Sequence, residues 1–326
     1  MRPETNITMI AISRRAAVAS ALDFAGPGGL SGEALARELG ISRVAIAKHV
    51  AALKDLGYRI ESSPRVGYRL LEAPDACIPE EVSPRLADPL WVSCTGGLET
   101  GSTNDDAKTA ARAGSPEGTL VVAARQHGGR GRLGRVWASP SGGAYASAIL
   151  RPALPPAALG PLALVIALGV ARGLERFGVP AGLKWPNDVL ADGEKLAGIL
   201  LEMAAEADTV EWLVVGCGLN VAGPGEPGSA WVRRYSAEAK VAEVAAAVLD
   251  ECASAYRTFL AEGFAVLVGE YRARGTLWGR GVVVRDGIGR VVASGIAETV
   301  DDSGALVVRE AGGARAVVAG EVTLRS

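Results

Sequence analysis

Hydrophobic positions near the N-terminus recur at helical spacing in two short segments. Ser31 precedes the segment GEALAREL, and a serine is favoured there because its side chain accepts a hydrogen bond from the first turn of a helix. Ser42 precedes a second segment, in which Ile46, Val50 and Leu53 share one buried face. Two short helices joined by a tight turn predict a helix-turn-helix. The next residues, RIESSPRVGYRLL, predict two strands around a Ser-Ser-Pro turn, a pattern typical of a wing.

The rest of the chain changes pattern twice. The strand-like runs TLVVAARQ, AYASAIL, KLAGILLEM and VEWLVVGCGLN alternate with helical periodicity over 157–177 and 237–268, which predicts a mixed α/β domain. Residues 277–326 carry short apolar runs with glycine turns about every eight to twelve residues, which predicts a small β-barrel. We therefore expect an α+β multidomain protein with domains at 1–74, 88–272 and 277–326.

Neither a membrane span nor an export signal is predicted. The longest apolar run, 162–171, is about half of the ~20 residues that a membrane span needs, so we expect a buried helix and no membrane partner. The segment SRRAAVASALDFAG superficially resembles a twin-arginine signal, but Asp23 cuts its apolar stretch short. Four cysteines show no CxxC pairing and no histidine at metal-ligand spacing, which favours a reducing cytoplasm over a disulfide framework or a zinc site.

Positive charge is local. The net charge is −2, which argues against a nucleic-acid surface covering the whole protein. Residues 43–69 nevertheless hold six basic and two acidic side chains. Together with the winged helix-turn-helix pattern this predicts DNA binding, although a solvated basic helix would show the same pattern. We expect the second helix to face the major groove and the wing to contact phosphate. The predicted DNA-binding residues are Ser42, Arg43, Val44, Ala47, Lys48 and Arg65.

Arginine and glycine dominate the segment ARQHGGRGRLGRVW, residues 124–137. Such a composition is typical either of a disordered nucleic-acid-binding tail or of a loop that grips an anion. A strand-like run precedes the segment and GGAYASAIL follows it, and this position between strands favours a binding loop.

Three further motifs follow this Arg-Gly loop. KWPNDVL combines a cation, an aromatic ring and an Asn-Asp pair at a turn, KLAGIL brings Lys195 into a strand, and GCGLN ends an apolar strand. Each alone also fits ordinary structure: a surface turn, a solvated strand start and another turn. Only six of the 34 basic residues are lysines, which draws attention to Lys184 and Lys195 for their compact amines.

Taken together, in this order and spacing, these motifs with GSTN at 101–104 and the ending TLRS resemble the bifunctional biotin protein ligases and biotin-operon repressors. The resemblance covers essentially the whole chain, and the Arg-Gly loop followed by KWPND and KLAGIL is its most specific part. It implies a class II synthetase-like central domain and an SH3-like C-terminal barrel. It also implies that biotin and ATP, with Mg²⁺, give biotinyl-5′-AMP and pyrophosphate. Biotin then passes to a lysine of a biotin carboxyl carrier protein, and we expect a homodimer to bind operator DNA.

The resemblance assigns roles residue by residue. The catalytic residues it implies are Lys195, Arg130 and Arg132. The biotin-binding residues it implies are Ser102, Thr103, Asn104, Gln126, Arg130, Gly131, Arg132 and Lys195. The ATP-binding residues it implies are Lys184, Asn187, Asp188, Trp137 and Asn220, with Asn187 or Asp188 placed to position Mg²⁺ but no metal ligand assigned. Leu133 departs from the family pattern, because relatives often have a basic residue there, and this puts ligand affinity and loop closure in question.

Two other functions remain open from the sequence. A biotin-sensing transcription regulator without ligase activity would have the same domains, although the retained Arg130, Arg132 and Lys195 argue for catalysis. A lipoate ligase resembles the central domain in fold.

A carboxylate that attacks phosphorus needs alignment and positive charge rather than an activated serine or cysteine. The chain has only two histidines and no evident nucleophile triad, which suits such a reaction.

Overall fold

The computed structural model describes residues 10, 12–64, 66–206 and 208–325. Its first part contains three helices followed by a two-stranded antiparallel hairpin. Ser31 and Ser42 accept hydrogen bonds from the first turns of the second and third helices, which confirms both predicted N-caps. The elements are α1 (Arg14–Ala25), α2 (Gly32–Leu39), α3 (Arg43–Asp55), β1 (Arg59–Ser63) and β2 (Gly67–Glu72).

Helix α1 is an element that the hydrophobic pattern did not predict. It is formed by the segment that resembles an export signal, and Ser13 caps it by accepting a hydrogen bond from the N–H of Ala16. Val18 and Leu22 are fully buried in the core of the winged helix-turn-helix. That core also includes Ala124 of the central domain, so the two domains pack against each other.

The central part is built on a seven-stranded mixed sheet. Its strand order is β3-β4-β5-β9-β8-β7-β6, with β3 and β4 parallel and all other neighbours antiparallel. The strands are β3 (Ser93–Thr100), β4 (Thr119–Gln126), β5 (Gly143–Leu150), β6 (Ala181–Lys184), β7 (Asp188–Ala191), β8 (Glu194–Glu206) and β9 (Thr209–Asn220). The helices are α4 (Pro79–Val82), α5 (Thr103–Arg112), α6 (Leu162–Glu175), α7 (Val241–Glu262) and α8 (Val268–Arg274).

Helices cover both faces of this sheet. Alternate residues of β4 point to opposite sides, so Leu120 packs with α6 and α7 while Val121 packs with α5. Helices α6 and α7 lie unusually close, because a Cβ on Gly169 would be 2.6 Å from the Cα of Cys252. The predicted α/β domain is confirmed, and the α5 face is the one that carries the site.

The apolar segment that contains α6 belongs to the protein core. By length and composition alone, Pro156–Glu175 could cross a membrane, but 72% of its apolar window is buried inside the protein. The predicted buried helix is therefore confirmed.

The last part is a five-stranded antiparallel sheet of order β13-β12-β11-β10-β14. The indole of Trp185, in the turn between β6 and β7, donates a hydrogen bond of 3.1 Å to the carbonyl of Gly304. This bond joins the C-terminal domain to the KWPND turn. The strands are β10 (Gly281–Arg285), β11 (Val291–Val300), β12 (Leu306–Glu310), β13 (Gly313–Val317) and β14 (Glu321–Leu324).

Candidate active site

A cavity of about 360 Å³ opens on the α5 face of the central sheet. This volume lies in the range of small-molecule sites, which is ~300–1,000 Å³. Every residue assigned to biotin or ATP except Asn220 lies in its wall. Those wall residues are Ser102, Thr103, Asn104, Gln126, Arg130, Gly131, Arg132, Trp137, Lys184, Asn187, Asp188 and Lys195.

One end of the cavity is lined by buried, uncharged polar groups at the start of α5. Ser102, Thr103 and Asn104 are each at most 5% exposed. The backbone N–H of Thr103 donates to Oε1 of Gln126 at 2.8 Å, and Nε2 of Gln126 donates to Oγ of Ser139 at 2.9 Å. Because these partners are fixed within the protein, the amide and hydroxyl groups are held in set orientations toward the cavity.

An acidic side chain behind this end fixes Asn104. Nδ2 of Asn104 donates to Glu202 at 2.8 Å, and Lys108 pairs with the same carboxylate at 2.7 Å. Burial disfavours the charged form of Glu202, but the hydrogen bonds from Lys108 and Asn104 outweigh it and lower the pKa of Glu202. The carboxylate is therefore ionised at neutral pH and keeps the asparagine amide oriented.

The Arg-Gly loop forms a tight hairpin over the cavity. The N–H of Gly131 donates to the carbonyl of Arg135 at 2.7 Å, and the N–H of Trp137 donates to the carbonyl of Gly129 at 2.9 Å. Leu133, at the tip, has a φ of 55°, a left-handed conformation that costs a non-glycine residue ~1–2 kcal/mol. This hydrogen-bonded backbone argues against the disordered-tail interpretation and favours an ordered loop in the cavity wall.

Arg130 and Arg132 of the loop reach different partners. Arg130 pairs with Asp105 at 2.6 Å and with Glu202 at 3.2 Å, which ties the loop to α5 and β8. Arg132 donates to Oδ1 of Asn187 at 3.3 Å. Burial lowers the pKa of the Arg132 guanidinium, which is still charged at neutral pH and is partly stripped of water.

The opposite end of the cavity carries the KWPND turn and the start of β8. Nζ of Lys195 lies 2.8 Å from Oδ1 of Asp188 and 5.2 Å from the centre of the Trp137 ring. Nδ2 of Asn187 donates to the carbonyl of Ile199 at 2.9 Å, so the turn is fixed against β8. The cation, the carboxylate and the ring thus form one cluster.

Trp137 lies flat against the sheet because its neighbours are glycines. A Cβ on Gly218 would be 2.4 Å from Nε1 of Trp137, and one on Gly198 would be 3.2 Å from its ring. The motif GCGLN is therefore part of strand β9 and supplies a floor for the indole. The prediction that it ends an apolar strand is confirmed, and the alternative of an ordinary turn is wrong.

Asn220 lies away from the cavity wall. It is 2% exposed, and its Nδ2 donates to the carbonyl of Ala230 at 3.0 Å. The residue thus holds the loop that follows β9 and is not among the cavity-lining residues.

Charge in the cavity is mainly positive. The wall contains five basic side chains, Arg130, Arg132, Arg135, Lys184 and Lys195, and three acidic ones, Asp188, Glu226 and Glu321. Such a site favours an anionic ligand. The wall residues that the structure describes include no histidine. Among the described residues of the chain, no group of three or more acidic, histidine or cysteine side chains is arranged to bind a metal ion.

Helix α3, the second helix of the predicted helix-turn-helix, contains or adjoins five of the predicted DNA-binding positions. Ser42, Arg43, Val44, Ala47 and Lys48 are all exposed, whereas Ile46, Val50 and Leu53 are buried. The wing is less basic than its composition suggests, since Arg69 pairs with Glu61 and Arg59 pairs with Glu72. Arg65 lies outside the described residues.

Comparisons with known proteins agree with this arrangement. The biotin/lipoate A/B protein ligase family matches residues 100–220, a helix-turn-helix domain matches 24–69, and the biotin protein ligase C-terminal domain matches 278–325. The bifunctional ligase/repressor BirA of Escherichia coli is 32% identical over 310 residues, which cover 91% of this chain and 93% of that protein. The chain belongs to the biotin protein ligase family.

Two more members of the biotin protein ligase family illustrate the extent of the similarity. The bifunctional ligase/repressor BirA of Bacillus subtilis is 40% identical over 195 residues, but the alignment spans only 59% of this chain and 60% of that protein. A biotin protein ligase from Aquifex aeolicus, solved in complex with biotin and ATP, has a TM-score of 0.62 and 28% identity. The similarity covers 71% of this chain and 98% of that one.

Sequence reasoning missed several residues of this biotin protein ligase site. Ser147 donates to Oδ1 of Asn104 at 2.6 Å, and a Cβ on Gly216 would be 2.1 Å from the same oxygen. Glu202 links Asn104 to Arg130. The available signal was the pair of glycines in GCG, because a Cβ at Gly216 would clash with Asn104 and one at Gly218 with Trp137.

Proposed function

We propose that this chain activates biotin with ATP to biotinyl-5′-AMP and then transfers biotin to a lysine of a biotin carboxyl carrier protein. The observation that carries the proposal is a single cavity that joins an uncharged polar end to a cationic end. Ser102, Asn104 and Gln126 at the first end suit the ring of biotin. Lys195 and Arg132 at the second end suit a carboxylate next to phosphates.

In the first step, a carboxylate oxygen of biotin attacks the α-phosphorus of ATP and pyrophosphate leaves. Two anions must approach each other, so Lys195 and Arg132 act by offsetting their repulsion and by stabilising charge in the transition state. Arg130 and Gly131 would close the loop over the product. Lys184, Asn187 and Asp188 would hold the phosphate side, and Trp137 would pack against the adenine.

In the second step, the amine of the acceptor lysine attacks the carbonyl carbon of the mixed anhydride. AMP leaves with the electron pair of the broken bond, and an amide forms with loss of the amine proton. Lys195 would remain next to the phosphate of the leaving AMP, so the same cation serves both steps. The closed Arg-Gly loop excludes water, which would otherwise hydrolyse the adenylate.

Asp188 and Asn187 would hold a magnesium ion that enters with ATP, in exchange for the contacts that their oxygens make with Lys195 and Arg132. Mg²⁺ prefers oxygen ligands and is commonly bound by one or two carboxylates together with substrate phosphates. Both side chains lie in the cavity wall on the same turn. When bound, the ion would supply further positive charge at the phosphates.

We infer that the same chain represses transcription in response to biotin, as its relatives named ligase/repressor suggest. α3 would read operator DNA through Arg43 and Lys48, with Arg65 on phosphate, and a homodimer would span two half-sites. We propose that the chain is divided into domains at 1–74, 88–272 and 277–326. We also propose a class II synthetase-like central fold, an SH3-like C-terminal barrel and a cytoplasmic location.

Biotin-dependent exchange of labelled pyrophosphate into ATP tests the proposal. We expect exchange with biotin and a strong preference for biotin over lipoate. Complete absence of exchange in folded protein would leave only a biotin sensor, and preferential exchange with lipoate would change the substrate assignment. The Arg132→Gly variant should weaken biotin binding and release adenylate, which would appear as biotin on bystander lysines.

A further inference from the structure

The C-terminal domain forms part of the cavity wall. Glu321, Val322 and Thr323, at the start of β14, line the same space as Arg132 and Asn187. Trp185 is only 2% exposed, and its indole donates a hydrogen bond to the carbonyl of Gly304, which helps to hold the domain there. The last strand of the chain is therefore in place to act on the ligand site.

The contact runs through the Arg-Gly loop. Nη2 of Arg135, the last arginine of the loop, donates to Oε2 of Glu321. The Glu321 side chain is 21% exposed, so it is partly shielded from water. At the loop tip, Cδ2 of Leu133 lies only 3.5 Å from where a Cβ on Gly287 would be, so the tip also touches the turn between β10 and β11.

The loop is thus held at two points on two domains. Arg130 binds Asp105 and Glu202 of the central domain, and Arg135 binds Glu321 of the C-terminal domain. Arg132, which points to Asn187, lies between these anchors. Losing one anchor would let the loop open while the other keeps it attached.

We propose that Glu321 is a positioning residue that holds the Arg-Gly loop closed through Arg135. This inference rests on the proposed function for its consequence, since a closed loop retains biotinyl-5′-AMP. Glu321 contacts an arginine of the loop and acts through it. Its loss should therefore raise the KM for biotin and the rate of adenylate release, with little change in kcat for exchange.

The expected effect is moderate. A partly exposed ion pair contributes up to ~1 kcal/mol, which corresponds to about a fivefold change in the population of the open loop. Proteolysis follows that population when opening is fast relative to cleavage. We expect Glu321→Gln to raise both cleavage after Arg132 and release of the adenylate about fivefold.

Limited trypsin digestion of the full-length protein without ligands tests the anchor directly. The matched control is Glu298→Gln, because Glu298 forms a similar pair with Arg309 at 3.0 Å in the same domain. Faster cleavage after Arg132 in Glu321→Gln but not in Glu298→Gln supports the proposal. Equal cleavage in Glu321→Gln and the unmodified chain, or equal acceleration in both variants, overturns it.

A charge exchange separates positioning from general damage to the fold. Arg135→Glu alone should open the loop, and Arg135→Glu combined with Glu321→Arg should restore slow cleavage after Arg132 and retention of the adenylate. Failure of the double variant to recover protection, with unchanged thermal unfolding, would contradict a direct pair. The digestion requires no enzymatic activity. An absence of pyrophosphate exchange would therefore overturn the proposed function, while the cleavage rates after Arg132 would still show whether Glu321 holds the loop.

Discussion

Replacement of Lys195 by alanine removes one cation from the cationic end of the candidate site. Nζ of Lys195 lies 2.8 Å from the carboxylate of Asp188 and faces the Trp137 ring, in the wall of the cavity. Loss of one preorganised stabilising group in a transition state costs about 3 kcal/mol, which corresponds to about 100-fold in rate. The carboxylate of Asp188 then faces the phosphates without its partner, so at least ~100-fold is expected.

Biotin-dependent pyrophosphate exchange measures this loss. The side chain of Lys195 is 38% exposed and pairs with Asp188, so the free energy of unfolding should fall by no more than about 1 kcal/mol. Lys240→Ala is the matched control, because Lys240 is exposed and lies outside the cavity wall. It should leave exchange unchanged.

A second substitution, at Asp188, tests what the partner of Lys195 contributes to the rate of exchange. Because Asp188 is proposed to hold Mg²⁺ on the phosphate side, Lys195→Ala combined with Asp188→Asn should exchange more slowly than Lys195→Ala alone. Near-normal exchange in Lys195→Ala would remove the residue from the mechanism. A double variant that exchanges faster than Lys195→Ala would contradict the role of Asp188 in holding Mg²⁺ and would show that its carboxylate acts there only as unpaired negative charge.

Three further outcomes are expected. Gly216→Ala places a Cβ 2.1 Å from Oδ1 of Asn104, so the KM for biotin should rise at least about tenfold in a kinetic titration, with a smaller effect on the KM for ATP. Glu202 has a lowered pKa, so its ionised form stabilises the fold above its unfolded-state pKa of ~4.3 and this contribution is lost as pH falls through the lower folded value. Denaturant unfolding at about pH 6 and about pH 3 should therefore show a difference between the unmodified chain and Glu202→Gln that shrinks at the lower pH. Arg43→Ala and Lys48→Ala should each weaken operator binding in a mobility-shift assay while leaving pyrophosphate exchange unchanged.

Local features were predictable because their causes are local. The caps at Ser31 and Ser42 and the spacing of Ile46, Val50 and Leu53 set α2 and α3 from neighbouring residues alone. The site residues came from motifs whose order matched a family, and the cavity brings all but Asn220 together.

The features that were missed depend on contacts between distant segments. The sequence of helix α1 is rich in alanine and shows little amphipathic pattern. Its part in the core becomes visible only from the contacts of Val18 and Leu22 with other helices. The link between Asn104 and Glu202 spans 98 residues, and the link between Arg135 and Glu321 spans 186. No local pattern encodes such pairings, because neither partner's neighbours in sequence indicate which distant side chain it contacts.

The composition of the Arg-Gly loop could not decide between a tail and a binding site, but its contacts do. Arg130, Arg132 and Arg135 each have a partner on a different element: α5 and β8, the KWPND turn, and β14. Ordering a loop costs ~1–2 kcal/mol per residue in backbone entropy, and the strained conformation of Leu133 adds to that cost. These charged contacts in two domains help to offset the cost, and a ligand that binds Arg132 would add to them. The same composition that is typical of a flexible nucleic-acid tail elsewhere therefore belongs to an ordered loop at the cavity here.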